Sequence, residues 1–336
     1  MSLKEIGEFG FIERISRGCL IRPDGVVTAI GDDAAALQAE ANRLLLVTTD
    51  LLVERVHFLR EATSGFNLGY KSLAVNLSDI AAMGGTAREA FISIGIPDDC
   101  PLAFLDDLYR GMQHLAAAFR VNILGGDTTG SKQDLIINVV VTGTVDPQEM
   151  LLRSGARVGD IIYSTGTLGD SRAGLHLILN KIRADSPQLQ ALFDAHVLPK
   201  PCLREGRFLA ASGGVHAAID VSDGLSSDLG HILRASGVGA RLFALQMPVS
   251  SQLQAFCARF GFDPVDYALA GGEDYTLLFA ADRNEAARIG EQYRAAFGQP
   301  LYRLGEITDT GRIELAGPDN QLQDITPTGW DHFKTK

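Results

Sequence analysis

Residues 121–145, VNILGGDTTGSKQDLIINVVVTGTV, hold two strand-like runs in succession with no helix between them. The first, VNILGG, ends at Asp127, and the second, LIINVVVTGTV, is the strongest strand in the chain. Upstream, residues 101–119 carry Leu105, Leu108, Met112, Leu115 and Phe119 at helical spacing, and FISIGIP (91–97) reads as a strand stopped by Pro97. Residues 66–83 predict a helix with Leu68, Leu73, Leu77, Ile80 and Met83 near one face and Asp79 off that stripe. RLLLVTTD (43–50) reads as a buried strand delivering Thr48, Thr49 and Asp50 at its end, VVTAI (26–30) as a strand, and residues 4–20 as an amphipathic helix. Strands that follow one another in some places and alternate with helices in others favour α+β over a regular βαβ array.

Downstream, Asp146-Pro147 breaks the pattern and places a boundary near residue 148, giving domains 1–148 and 149–336. DIIYSTG (160–166) is strand-like, residues 171–183 and 186–196 are helical, and another helix opens after the prolines of PKPCLREGRFLA (199–210). AAIDVSDGLSSDLGHIL (217–233) predicts a strand, a tight turn and a helix capped by Ser226 or Ser227. Strands GARLFAL (239–245) and YTLLFAA (275–281), a helix at 283–297 and a strand-rich tail complete the chain.

The 336 residues suffice for two cores, and 46% hydrophobic with 21% charged residues is a globular profile. A net charge of −11 argues against a nucleic-acid or anionic-membrane partner. Cys19, Cys100, Cys202 and Cys257 are scattered and signal neither a zinc site nor a disulfide framework. Neither a secretory signal nor a membrane span is evident, so the expected location is cytoplasmic.

Ten acids fall in six Gly/Ser/Thr-rich windows without Lys or Arg: Asp32 and Asp33, Asp50, Asp79, Asp127, then Asp220, Asp223 and Asp228, then Glu273 and Asp274. Two like charges 4 Å apart cost roughly 4 kcal/mol at an effective dielectric of about 20. If the windows meet, a cation must sit among them, and Mg²⁺ beside glycine-rich turns points to phosphate chemistry. Each window has a plainer reading too. Asp32-Asp33 is a paired ligand or an Asx turn; Thr48-Thr49-Asp50 is a hard-cation site or a solvated strand end; Asp127 after Gly125-Gly126 is a phosphate approach or a turn. IDVSDGLSSD holds three acids where a helix cap needs one acceptor, a surplus that favours metal binding. GGEDY has a similar surplus or is a hairpin turn. Two other stretches mislead. GFNLGYKS (65–72) lacks the spacing of a phosphate-binding loop and reads as the first turn of a helix. GTLGDSRAG (166–174) lacks dinucleotide spacing and is an ordinary turn or an anion site at a helix N-terminus.

With these windows in order, the chain resembles the thiamine-monophosphate kinase family, in the superfamily typified by aminoimidazole ribonucleotide synthetase and selenophosphate synthetase. GDDAA, TTDLLVERVHF, YKSLAVNLSDIAAMG, GGDTTG, RSGARVGD, DVSDGLSSDLGHI and GGEDY carry the resemblance, from GEFGFIERI to the terminal GWDHF. It implies direct transfer of the ATP γ-phosphoryl group to thiamine monophosphate, giving thiamine diphosphate and ADP. It implies that Asp33, Thr48, Thr49, Asp50, Asp79, Asp127, Asp220 and Asp223 hold several Mg²⁺ ions. Tyr109, Gly126, Asp127, Arg153 and Ser222 would contact ATP, and His57, Glu273 and Trp330 the substrate. It implies two α+β domains, the first pairing with its twin so that two sheets complete a barrel in a homodimer. The same residues admit simpler roles: Trp330 as a tail aromatic, His57 as a structural histidine, Arg153 as a surface residue, Tyr109 as helix packing. A different ATP-dependent synthetase of the superfamily, or a non-catalytic cation-binding protein, are the competing functions; Cys19 lies in a poor context for selenophosphate chemistry.

Overall fold

The structure, a computed structural model, describes residues 26–28, 35–40, 42–330 and 333; the expected helix at 4–20 and the Asp32-Asp33 pair, including the expected ligand Asp33, lie outside them. Strands β1 (Val26–Thr28), β2 (Ala35–Glu40), β3 (Arg43–Val53), β4 (Thr86–Pro97), β5 (Asn122–Ser131) and β6 (Ile136–Val145) form one sheet in the order β1-β2-β3-β6-β4-β5. Its pairings are antiparallel except β4 with β5. Helix α1 (Gly65–Ala82) lies across β3, β4 and β6, and α2 (Leu102–Phe119) packs beside it.

Two strands run further than the sequence suggests. Leu51, Leu52 and Val53 prolong the apolar run of β3, so Thr48, Thr49 and Asp50 sit inside a strand rather than at its end. β5 continues through Asp127 to Ser131 because Gly126, at φ +149, lets it draw close to β4; a Cβ there would fall on the Ile92 carbonyl oxygen.

The second sheet contains β7 (Ile161–Ser164), β8 (Val215–Asp220), β9 (Gly239–Phe243), β10 (Leu277–Ala281), β11 (Tyr302–Thr308), β12 (Ile313–Ala316) and β13 (Leu322–Ile325), in the order β13-β12-β9-β11-β7-β10-β8. Here only β12 and β9 pair in parallel. Around it lie α3 (Asp170–Leu179), α4 (Pro187–Val197), α5 (Leu203–Ser212), α6 (Leu225–Ser236), α7 (Ser251–Phe260), α8 (Pro264–Ala270) and α9 (Ala286–Phe297). The architecture is two-domain α+β with two mixed sheets. The short helices α7 and α8 are additions to the sequence reading. Both start on ordinary caps: Ser250 accepts from the Leu253 amide at 3.0 Å, and Asp263 from the Val265 amide at 2.8 Å ahead of Pro264.

Helix α1 joins the two halves. Its apolar residues Leu68, Leu73, Leu77 and Ile80 are buried, and so are Lys71, Ser72, Asn76 and Ser78, because α5 and β8 pack on the side turned away from the first sheet. A helix buried all round must partner its polar groups with protein. That requirement positions the site.

Candidate active site

Side chains on β3 alternate between the two faces of the sheet. Thr48 and Asp50 fall on the face that α1 covers, with buried Leu46 and Leu52; Thr49 and Leu51 fall on the other face and are exposed. Across the inner face the Thr48 hydroxyl donates to Asp79 Oδ2. One residue earlier on α1, the Ser78 hydroxyl donates to Asp220 Oδ2 at 2.6 Å. Asp220 ends β8 and is almost fully buried. From there β8 turns through Ser222 and Asp223 into α6. The amides of Asp223 (3.1 Å) and Gly224 (3.0 Å) both donate to Asp228 Oδ2, which holds the turn shut. The expected cap by Ser226 or Ser227 is thus replaced: Gly224 is the capping position and Asp228 reaches back to it, while Ser226 donates to the Thr328 carbonyl oxygen.

The GGEDY loop links α8 to β10 and closes over this turn; it is not a hairpin. Its Glu273 amide donates to the Ser222 carbonyl oxygen at 2.7 Å, and the Tyr275 amide to that of Val221 at 2.9 Å. Glu273 (φ +63) and Tyr275 (φ +51) adopt left-handed backbone, uncommon for such residues. Asp274 accepts from the amides of Gly169 (2.6 Å) and Ser171 (3.2 Å), so the N-terminus of α3 is already capped by the chain's own carboxyl group. Burial pushes Asp274 up to about 8 against those two amides. GTLGDSRAG is therefore a capped turn.

Tyr275 reports what has gathered. Burial first, then the charges of Glu273, Asp50, Asp220 and Asp79, push its phenol well above the ordinary range. Four acids from β3, α1, β8 and the GGEDY loop thus bear on one buried hydroxyl. Asp50 itself is pushed up to about 6 by burial. Asp228 is raised by burial and then by Asp223 and Asp220. The donors are carboxylate and hydroxyl oxygens, the set that suits a hard cation such as Mg²⁺. Among the described residues no three His, Cys, Asp or Glu form a ready-made metal cage. Mg²⁺ shared with phosphates needs only one or two carboxylates per ion, so the residues present fit it.

Next to Lys71 lies a cavity of ≈ 110 Å³ whose lining mixes polar residues, among them Arg55, His57, Lys71 and His196, with apolar side chains such as Phe58 and Val197. The Val53 amide donates to His57 Nδ1 at 3.0 Å, which leaves the neutral ring's proton on Nε2. Glu273 is ion-paired with Lys71 at 2.8 Å. Trp330, 44% exposed, reaches the same turn: its amide donates to the Asp223 carbonyl oxygen at 3.3 Å.

Other expected residues stand apart. Strand register aligns Leu51, Asn138, Ser93 and Asp127 in one row, so Asp127 lies three strands from β3 and on the outer face with Thr49. Thr49 donates there to Asn138 Oδ1 at 2.9 Å. Gly126 is the close-approach residue of β5, and Tyr109 is half-buried on α2 against the first core. Arg153 lies near His231 of α6, whose pKa falls to about 4 through burial and then the charges of Arg153 and Arg234. Sequence reasoning missed Ser78, Lys71, His196 and Tyr275. Ser78 and Tyr275 sit inside acidic windows; Lys71 was hidden in the misleading GFNLGYKS; His196 carries no local signal.

Residues 31–145 match the AIR synthase related protein N-terminal domain, and residues 157–317 its C-terminal domain. The chain is similar to thiamine-monophosphate kinases of Aquifex aeolicus (34% identity, 99% of this chain and 100% of that one) and Haemophilus influenzae (35%, 98% of each). The chain belongs to the thiamine-monophosphate kinase family. Among solved structures of this family, AaThiL complexed with AMPPCP and TMP superposes with a TM-score of 0.87 at 32% identity over 99% of both chains. The thiamine-monophosphate kinase from Stenotrophomonas maltophilia gives 0.77 at 35% identity, covering 94% of this chain and 98% of that one. The hydrogenase maturation protein HypE, at 18–19% identity, shares the fold alone.

Proposed function

We propose that this chain transfers the γ-phosphoryl group of ATP to thiamine monophosphate, forming thiamine diphosphate and ADP. The observation that carries the reading is the geometry that brings Asp50, Asp79 and Asp220 together from both halves of the chain, through Thr48–Asp79 and Ser78–Asp220, beside a cavity lined by His57 and by Lys71, the partner of Glu273. Phosphoryl transfer asks a protein mainly to position the two phosphates and to offset charge on their oxygens. Thr48, Asp50, Asp79, Asp220 and Asp223 would hold Mg²⁺ ions, the resemblance adds Asp33, and Thr49 and Asp127 would hold Mg²⁺ from the outer face; bound Mg²⁺ supplies the positive charge that the phosphates need. No general base is required where the acceptor phosphate is already ionised. Ser222, Gly126, Tyr109 and Arg153 are the ATP contacts of this reading. Glu273 faces the cationic ring of thiamine with opposite charge, Trp330 stacks on it, and His57 closes the cavity.

A homodimer belongs to the same proposal, with the domain division near residue 148. Among the described residues β5 is an edge strand, and the face turned away from α1 exposes Leu51 (53%), Phe91 (38%) and Leu124 (60%). An unpaired edge beside apolar surface is what a second copy would cover in completing a barrel, at the face where Thr49 and Asp127 lie. The test is a coupled assay of ADP formation with ATP, Mg²⁺ and thiamine monophosphate against a panel of other phosphomonoesters, with and without excess chelator. Turnover confined to thiamine monophosphate and abolished by chelation is expected. Equal turnover of unrelated phosphomonoesters, or full activity in chelator, would overturn it.

A further inference from the structure

Lys71 projects from α1 into the space between the two halves and is buried. Its ammonium is 2.8 Å from Glu273 Oε1 and 3.4 Å from His196 Nε2. An ammonium has protons and no lone pair, so Nε2 must accept. Burial and then the charge of Lys71 hold His196 down at about 4, so its ring is neutral and carries one proton, which this contact places on Nδ1. Nδ1 lies 3.0 Å from Ser171 Oγ and 3.3 Å from Glu273 Oε2. One Glu273 oxygen is thus ion-paired with Lys71 from α1, and the other lies against the neutral His196 ring of α4, whose Nδ1 proton is shared with Ser171 Oγ. The left-handed Glu273 backbone is held through its amide at the Ser222 carbonyl oxygen, so the Lys71 and His196 contacts act on the side chain. Burial favours the neutral acid, yet Lys71, with His196 and His57, keeps the carboxyl below its ordinary value. Lys71 and His196 also line the cavity.

Building on the kinase reading, we propose that Lys71 and His196 are positioning residues for acceptor recognition, holding the Glu273 carboxylate in the single orientation that receives the cationic ring of thiamine monophosphate. The pair acts through Glu273 and leaves ATP binding alone. Lysine here is not a phosphate-binding residue, despite its place in GFNLGYKS. The claim separates from a merely structural role by which Michaelis constant moves and by dependence on Glu273.

The experiment measures kcat and both KM values for K71M, K71R, H196F, E273Q and the K71M/E273Q double variant, with thermal melts and Mg·ATP binding as folding controls. K71M should raise the KM for thiamine monophosphate about tenfold or more, the loss expected when a charged hydrogen bond is removed, and leave that for ATP within about twofold. K71R should recover part of the loss, and H196F should show a smaller rise in the same constant. In the E273Q background K71M should add little, because the two residues act as one unit. Full multiplication of the two single effects, equal rises in both Michaelis constants, or an unchanged KM for thiamine monophosphate overturns the proposal. If K71M does not fold, H196F, which leaves the Lys71–Glu273 pair in place, decides by the same readout. A wild-type enzyme inert on thiamine monophosphate overturns the kinase reading and the proposal with it, whereas an active wild type with indifferent variants overturns the proposal alone.

Discussion

Ser78 on α1 donates a 2.6 Å hydrogen bond to Asp220 at the end of β8, tying a helix of the first half to a candidate ligand of the second. The bond fixes one oxygen of the Asp220 carboxylate. It also satisfies a hydroxyl that α1 buries completely. S78A should therefore cost about 1–3 kcal/mol in stability, the range for orphaning a buried polar partner. It should also raise the Mg²⁺ concentration needed for half-maximal turnover. Denaturant unfolding and a Mg²⁺ titration of ADP formation check both; a variant unchanged in each would show that Asp220 does not depend on Ser78.

Asp50 gives a prediction with a sign. Its carboxyl is raised from 3.8 to about 6 by burial. An acid raised in the folded state contributes stability that is complete below about 3.8 and is lost as pH rises through about 6. Metal-free protein at pH about 8 thus carries a desolvated negative charge at a cost, and D50N removes it. Metal-free D50N should melt higher than wild type at that pH, with the gap closing near pH 4, while its turnover is abolished. Mg²⁺ should raise the melting temperature of wild type more above pH about 6 than below it. Scanning fluorimetry across pH, with and without Mg²⁺, measures this. A D50N protein that melts lower than wild type at every pH contradicts the account.

The sequence made the acids conspicuous but not their arrangement. Helices α1 and α2 were readable because their leucines repeat at helical spacing, and β6 because its apolar run is long and β-branched. Which face each ligand takes depends on strand register. Thr48 and Thr49 are neighbours in the chain yet fall on opposite sides of the sheet, and Asp127 joins Thr49's side only through the alignment of four strands. The Ser78–Asp220 and Lys71–Glu273 pairs span separations that no local window contains. Asp228 was counted among the acids, but its role as the clasp of its own turn required seeing that Gly224 brings two amides onto one oxygen.

Trp330 is the aromatic residue that the tail brings to the Asp223 turn, where its amide meets the Asp223 carbonyl oxygen. It is 44% exposed. Stacking on a cationic ring at a partly exposed position is worth about 1 kcal/mol. W330A should raise the KM for thiamine monophosphate roughly fivefold on that figure and leave the KM for ATP unmoved, and W330F should restore most of the loss. Steady-state kinetics with each substrate varied separately decides it. Equal effects on both constants would remove the stacking role.

Gly69 and Gly111 face each other's helices where α1 crosses α2. A Cβ at Gly69 would fall on the Leu108 carbonyl oxygen, and one at Gly111 on that of Phe66. Backbone atoms cannot swing aside as a side-chain tip can, so the helices must separate. G69A should therefore cost at least ~3 kcal/mol, the upper end of the usual range for overpacking. The consequence reaches the site, because α1 also carries Lys71, Ser78 and Asp79. A shift of the helix lengthens the Ser78–Asp220 and Lys71–Glu273 contacts together, so folded G69A should lose turnover and bind thiamine monophosphate more weakly. A half-buried control, G290A on α9, where a Cβ meets nothing, should be neutral or slightly stabilising. Urea unfolding and kinetics on both variants make the comparison; a G69A protein as stable and as active as G290A would mean that α1 and α2 do not approach this closely in solution.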